Sequence, residues 1–154
     1  MRVLLVGAAF GAVLCAGALW AAEAPAQNPQ ELIDARVATM KKMGAAVKAG
    51  VDMKAPAADA KAKLAEARKI AESIPSLFPK GTGPGDPGVT KTRALPEIWA
   101  KPAEFKAAAD KLVALLKTAE AAIDADETTK GTALNATYKG CKGCHDEFRG
   151  PEIP

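Results

Sequence analysis

Four stretches of this 154-residue chain repeat apolar residues every three or four positions, which limits what the chain can fold into. That spacing places the apolar side chains on one face of an α-helix, whereas a half-buried strand would show strict alternation. Alanine is abundant and aromatic residues make up only 5% of the chain, a composition that favours helix. The pattern predicts helices over about residues 29–48, 57–74, 102–125 and 126–150.

A long connection, Pro75 to Pro102, separates the second and third predicted helices. Its run Gly81–Gly85 is not a phosphate-binding loop, because it lacks the Gly-Lys-Ser/Thr ending and follows no strand. Four amphipathic helices with one long crossover predict an all-α fold, an antiparallel four-helix bundle of the kind that binds cofactors in its core.

The N-terminus has the pattern of a secretory signal peptide, with Met1-Arg2 followed by an uncharged apolar run, Val3–Trp20. Small residues then offer cleavage sites after Ala22, Ala24 or Ala26. We therefore expect a signal peptide over about residues 1–24, a single mature domain over 25–154, and export to the periplasm.

Two other interpretations of this segment stay open. The apolar run is nearly long enough to be an uncleaved membrane anchor, but its Ala and Gly content makes it only moderately hydrophobic. Cys15 raises the possibility of a lipid-modified cysteine, although Ala12-Val13-Leu14 matches such a site poorly. With cleavage favoured, we expect no stable membrane insertion of the mature protein.

The pentapeptide Cys141-Lys142-Gly143-Cys144-His145 contains every mature cysteine and the only histidine of the chain. C-x-x-C-H is the attachment motif of a c-type haem. Thiols three residues apart share a helix face, so both can form thioethers to one porphyrin edge. The adjacent imidazole can then bind the haem iron as the proximal axial ligand. The motif predicts one covalently attached haem c, with its iron, per chain.

The same residues have plainer interpretations, namely a disulfide, a thioredoxin-like redox pair or half of a zinc site. A zinc site needs about four N or S ligands, and only Cys15 could join the three in the motif. A thioredoxin motif belongs to a βαβ pattern, which the sequence does not show. Haem attachment is favoured because motif, export signal and helical pattern agree.

The occupant of the second axial position separates an electron carrier from a gas-binding protein. Arg36 and Met40 are four residues apart on the first predicted helix and so share a face. A methionine thioether completes low-spin iron and raises its reduction potential. Met43 is the competing ligand, Met53 falls near a turn, and core packing of Met40 is the alternative to ligation.

The chain resembles the class II cytochromes c, the family of cytochrome c′ and its low-spin relatives of the cytochrome c-556 type. The resemblance rests on three stretches: the C-terminal motif continued by Asp146-Glu147-Phe148-Arg149, the pattern Arg36-x-x-x-Met40-Lys41, and Leu77–Thr82 continued by Ala94–Trp99. In class I proteins the haem motif lies near the mature N-terminus, so its C-terminal position is specific to class II.

The resemblance implies roles for individual residues. It implies His145 and Met40 as the axial pair, since the high-spin cytochromes c′ usually carry a bulky apolar residue at the position of Met40. It further implies that Arg36 approaches a haem propionate and that Arg149 borders the proximal side, with a solvated surface position as the alternative for each. Phe78 and Trp99 would pack on the haem edge or simply in the core.

We therefore expect a periplasmic monohaem cytochrome that carries single electrons and is not an enzyme. One rival is a five-coordinate cytochrome c′ that binds NO or CO, and another is a structural or interaction bundle that haem holds together. The net charge of only +3, which two propionates would reduce, gives no indication of nucleic-acid binding. The expected partners are unidentified redox proteins, and the chain would be a monomer or homodimer.

Overall fold

The computed structural model describes residues 28–152 and confirms the all-α bundle, with no strand in that range. The predicted signal peptide over 1–24 lies outside the described residues. The elements are α1 (Pro29–Gly50), α2 (Ala57–Ser73), a 3₁₀ turn (Ile74–Leu77), the short α3 (Glu97–Ala100), α4 (Pro102–Ala122) and α5 (Glu127–Phe148). The four predicted helices are present, and the sequence pattern missed the two short elements of the crossover.

Side-chain caps fix the starts of the first and last helices. The Asn28 side chain accepts a hydrogen bond from the Gln30 amide at 2.9 Å, and Pro29 occupies the first helical position. Asp126 accepts hydrogen bonds from the amides of Thr128 and Thr129, both at 3.0 Å. These caps satisfy amides that have no partner within the helix.

Packing follows the order of the chain: α1 lies on α2, α2 on α4, and α4 on α5. Leu64 and Leu116 are completely buried at the centre, and burying such a side chain stabilises the fold by roughly 1.5–3 kcal/mol. On α4, Leu116 and Ala109 are buried, whereas Leu115 and Ala108 beside them are only half-buried.

The fourth side of the bundle, between α1 and α5, has no comparable packing. Among the described residues, no helix is long and apolar enough to cross a bilayer.

The crossover between α2 and α4 returns across the side of the bundle between α1 and α5. Its turns contain Gly81, Gly85 and Gly88, whose φ angles of 84°, 86° and 82° suit glycine. Residues 90–95, which we call the strap, follow outside any helix or turn. Ala94 forms an isolated antiparallel bridge with Arg149, just beyond the end of α5. The crossover is therefore attached to the last helix of the bundle.

Candidate haem site

The two cysteines of the C-terminal motif lie in the last two turns of α5. Cys141 and Cys144 are half-buried free thiols that pack against the hydrophobic core. Burial raises the pKa of both thiols, so they stay protonated at neutral pH. The helix presents the pair side by side at the edge of the core, as attachment to one porphyrin edge requires.

His145 follows in the final turn of α5 with an exposed side chain. Burial of part of the ring lowers the imidazole pKa, and the positive charges of Arg149 and Arg93 lower it further against the opposing effect of Asp146. The imidazole is therefore neutral at pH 7, and the neutral ring is the form that can ligate iron.

Arg36 and Met40 occupy successive turns of α1. Met40 and the two other methionines in this part of the chain differ in how deeply they are buried. Met40 is half-buried and packs on the core from its edge. Met43 is only 7% exposed and belongs to the core itself, while Met53 is 41% exposed in the turn that follows α1. Of the three, Met40 combines a place at the core edge with the helix face of Arg36.

The Arg36 guanidinium is buried, with 4% of the residue exposed. It donates hydrogen bonds to Thr82 Oγ1 at 3.2 Å and to Thr92 Oγ1 at 3.0 Å, and a long one to the Thr82 carbonyl at 3.5 Å. Its Cζ atom lies 4.2 Å from the centre of the Phe78 ring, a cation–π arrangement. Burial lowers the arginine pKa.

No carboxylate of residues 28–152 forms an ion pair with Arg36. A buried cation is normally paired, because removing it from water is costly. The neutral hydroxyls of Thr82 and Thr92 accept hydrogen bonds from the guanidinium, but they do not neutralise its charge. The position thus suits an anionic group that the protein itself does not supply.

Phe78 and Trp99 belong to an aromatic cluster beneath Arg36. The Phe78 ring lies edge-to-face against Phe105 at 4.9 Å and against Trp99 at 6.3 Å, and Phe105 contacts Phe148 at 5.1 Å. The Trp99 indole donates to the carbonyls of Phe78 and Pro79. The cluster connects the crossover with α4 and with the end of α5.

The unpacked side of the bundle lies between the helix that carries Met40 and the helix that carries the cysteines. Each of these helices leaves a large apolar side chain in solvent, with Val37 44% exposed and Tyr138 52% exposed. Val37 precedes Met40 by three residues and Tyr138 precedes Cys141 by three, so each shares a face with its neighbour. Both side chains therefore lie on the helices that border the unpacked side of the bundle.

These features fit a haem. Thiols for attachment, a neutral imidazole and a thioether are the donor set of a His/Met c-type haem. The buried charge of Arg36 fits a propionate, and the exposed apolar side chains on α1 and α5 fit a porphyrin. No group of three or more His, Cys, Asp or Glu residues in the described range is arranged to hold a bare metal ion, so the zinc interpretation gains no support.

The sequence alone did not reveal the polar partners of this site. Thr82 is only 1% exposed and links Arg36 to the crossover, but a threonine in a Gly- and Pro-rich connection carries no distinguishing pattern. Thr92 was missed for the same reason, and Gln30 because a glutamine in the first turn of a helix carries no distinguishing pattern either. The stretch Leu77–Thr82, which contributed to the family resemblance, was the available signal.

Comparison with known protein families gives a clear result. A sequence model of the family described as Cytochrome C' matches residues 27–149. A cytochrome c′ from Pararhodospirillum photometricum is 43% identical over 112 residues, covering 71% of this chain and 83% of the relative. A cytochrome c-556 from Agrobacterium tumefaciens is 36% identical over 118 residues, covering 75% and 92%.

Solved structures agree with these relatives. A cytochrome c′ described as having an unusual ligand-controlled dimer dissociation aligns with a TM-score of 0.68 and 26% identity, covering 82% of this chain and 99% of that one. A mutant cytochrome c prime from Alcaligenes xylosoxidans, solved as its nitric oxide complex, aligns with a TM-score of 0.66 and 25% identity, covering 80% and 98%.

Proposed function

Because the chain belongs to the cytochrome c′ family of class II cytochromes c, we propose that it is an exported, monohaem, single-electron carrier with His145 and Met40 as axial ligands. The family binds covalently attached haem c, which supplies an iron that gains or loses one electron. Everything else in the proposal concerns what the residues of this chain do.

Cys141 and Cys144 hold the haem covalently, and His145 ligates it from the end of α5. The support is their arrangement on one helix: two protonated thiols half-buried at the core edge, followed by an imidazole that is neutral at pH 7. Within the described residues no second histidine competes for the proximal position.

The single observation that carries the choice of Met40 is its half-buried place at the edge of the core, on α1, beside the unpacked side of the bundle. Met43 is already enclosed by core side chains, so moving its sulfur to a ligand would empty a packed position. A thioether ligand keeps the iron low-spin, so little rearrangement accompanies electron transfer.

Arg36 binds a haem propionate, as its burial without a carboxylate partner suggests. Arg149 and Arg93 lie close enough to His145 to lower its pKa, and so they border the proximal side. Phe78 and Trp99 support this end of the site through the aromatic cluster, with Phe78 stacked beneath the guanidinium.

A second candidate function is the reversible binding of NO or CO at a five-coordinate iron. The names of the relatives favour it over the His/Met carrier, because cytochrome c′ is the name of the family and of several homologues. The nitric oxide complex solved for a structural relative points the same way. For this chain, the residue against it is Met40, which would have to leave the iron first. A purely structural role for the haem stays an untested alternative.

The optical spectrum of the purified ferric protein separates the two candidates. With Met40 bound, the spectrum is low-spin and contains the weak sulfur-to-iron band in the far red. Met40→Ala should abolish both features and lower the reduction potential, since the thioether favours ferrous iron. A native protein that is high-spin and binds CO freely would refute the Met40 assignment and establish the second candidate.

Met43→Ala is the matched control, because it removes a methionine from the next turn of the same helix. It should leave the spectrum unchanged. The reverse pattern would move the ligand one turn along α1.

The remaining elements of the proposal concern the setting of the protein. We propose release into the periplasm by cleavage of the segment 1–24, electron exchange with redox proteins that present a complementary surface, and no catalysis of substrate chemistry. The dimer described for a structural relative is consistent with a homodimer here. Mass spectrometry of the purified mature protein tests the cleavage site and the mass of one attached haem together.

A further inference from the structure

The strap, residues 90–95, connects the two helices that do not pack on each other. At one end, Gln30 of α1 holds it with a side-chain amide that pairs with the backbone. Its Oε1 accepts hydrogen bonds from Thr90 N, Thr90 Oγ1 and Lys91 N at 2.9–3.0 Å, and its Nε2 donates to the Lys91 carbonyl at 3.2 Å. This pattern imitates a β-ladder pair, with a side chain in place of a neighbouring strand.

At the other end, the strap is paired with the residues that close α5. The Leu95 amide donates to the Phe148 carbonyl at 3.1 Å, and the Gly150 amide donates to the Arg93 carbonyl at 2.7 Å. The Arg93 guanidinium adds a hydrogen bond to the Gly150 carbonyl at 3.0 Å. The attachments to α1, at Thr90, Lys91 and Thr92, therefore lie directly before the attachments to the end of α5, which begin at Arg93.

We propose that the strap sets the spacing between α1 and α5 and that Gln30 is a positioning residue for the axial ligand on α1. The inference rests on the haem site proposed above. Gln30 and Met40 are ten residues apart on one helix, so motion at the start of α1 is carried along a rigid element. The opposite side of α1 is fixed by α2, which leaves the strap to limit motion towards and away from α5.

The test compares Gln30→Met with Asn28→Ala in the holoprotein. Gln30→Met keeps the side-chain length and removes the bonds of this side chain to the strap, together with its hydrogen bond to Asp34, while the hydrogen bond from Arg36 to Thr92 stays in place. Asn28→Ala removes the side chain that caps the same helix by accepting a hydrogen bond from the Gln30 amide. It leaves the contacts of Gln30 with the strap in place.

Two measurements decide the outcome. Amide hydrogen exchange at residues 36–40 should be about tenfold faster in Gln30→Met than in Asn28→Ala, a factor that corresponds to about 1.4 kcal/mol. The rate of CO association with the ferrous protein should rise by a similar factor in Gln30→Met alone, because Met40 would leave the iron more readily once the start of α1 is held less firmly. Equal exchange rates and equal CO rates in the two variants would overturn the inference.

Failure of the proposed function gives a different result. If the wild-type ferric protein is high-spin, Met40 is not the ligand, yet the ratio of exchange rates between the variants still decides the role of the strap. If the protein carries no covalent haem, the haem site itself is wrong, and the strap is judged by amide exchange alone.

Discussion

Replacing Thr82 by valine tests whether the crossover holds the buried charge of Arg36. Thr82 is 1% exposed, and its hydroxyl accepts a hydrogen bond from Arg36 Nη1 at 3.2 Å while donating one to the Pro79 carbonyl at 2.8 Å. Valine has nearly the same shape but no hydroxyl. The substitution therefore leaves a guanidinium hydrogen without a partner, leaves the Pro79 carbonyl with only its hydrogen bond from the Trp99 indole, and creates no cavity.

The cost follows from the two lost bonds. A hydrogen bond to a charged group contributes about 1.5–3 kcal/mol and a neutral one about 0.5–1.5 kcal/mol. The guanidinium keeps its hydrogen bond to Thr92 Oγ1, which moderates the loss. We expect Thr82→Val to lower the free energy of unfolding by about 2–3 kcal/mol.

Urea unfolding of the holoprotein, followed by far-UV circular dichroism, measures this change. Thr118→Val is the control, because the Thr118 hydroxyl is exposed and donates only to the Ala114 carbonyl of its own helix. The reasoning would fail if the free energy of unfolding of Thr82→Val were no more than about 0.5 kcal/mol below that of Thr118→Val. The Thr82 hydroxyl would then not stabilise Arg36.

Three further predictions concern the scaffold. Gly50→Ala should destabilise the fold by about 1–3 kcal/mol in urea unfolding, because the added Cβ would lie 2.7 Å from Cγ of the fully buried Leu64. An unchanged urea midpoint would show that α1 and α2 can separate freely. Met43→Ala should cost about 2–5 kcal/mol with the haem spectrum intact, and a changed spectrum would contradict its core position. Hydrogen bonds from Thr129 and Thr128 hold the Asp126 pKa below its usual value; its stabilising effect is therefore present above the unfolded pKa of about 4 and lost as the pH falls through the folded pKa. Thermal melts of wild type and Asp126→Ala should thus differ at about pH 6 and converge at about pH 2, and a difference that persisted in acid would refute the cap.

The long helices and the haem motif were predictable because both depend on local pattern. Apolar spacing identifies an amphipathic helix without knowledge of its neighbours, and the caps at Asn28 and Asp126 act on the next few residues. The short α3 and the 3₁₀ turn were missed because each is held by tertiary contacts and is too short to show a period. The burial of Leu116 rather than Leu115 could not be predicted for a related reason, since the register of α4 is set by the helices on both sides of it.

The polar contacts of the site could not be predicted from local sequence pattern. Gln30 and Thr90 are 60 residues apart in the sequence, and Arg36 and Thr92 are 56 residues apart. Such pairs depend on where the crossover settles. The family resemblance identified Arg36 as important, but only the structure shows a buried guanidinium held by two hydroxyls and an aromatic ring.

The order of helix packing has a consequence for how the chain folds. Every extensive helix contact joins an element to the next long helix along the sequence. Closing the loop between such neighbours costs little entropy, since the cost grows only slowly with length even for the long crossover, and helical proteins rich in local contacts fold within microseconds to milliseconds. Native assembly can therefore advance from α1 towards α5 while the chain emerges. The side of the bundle between α1 and α5 forms last, when the strap pairs with the end of α5.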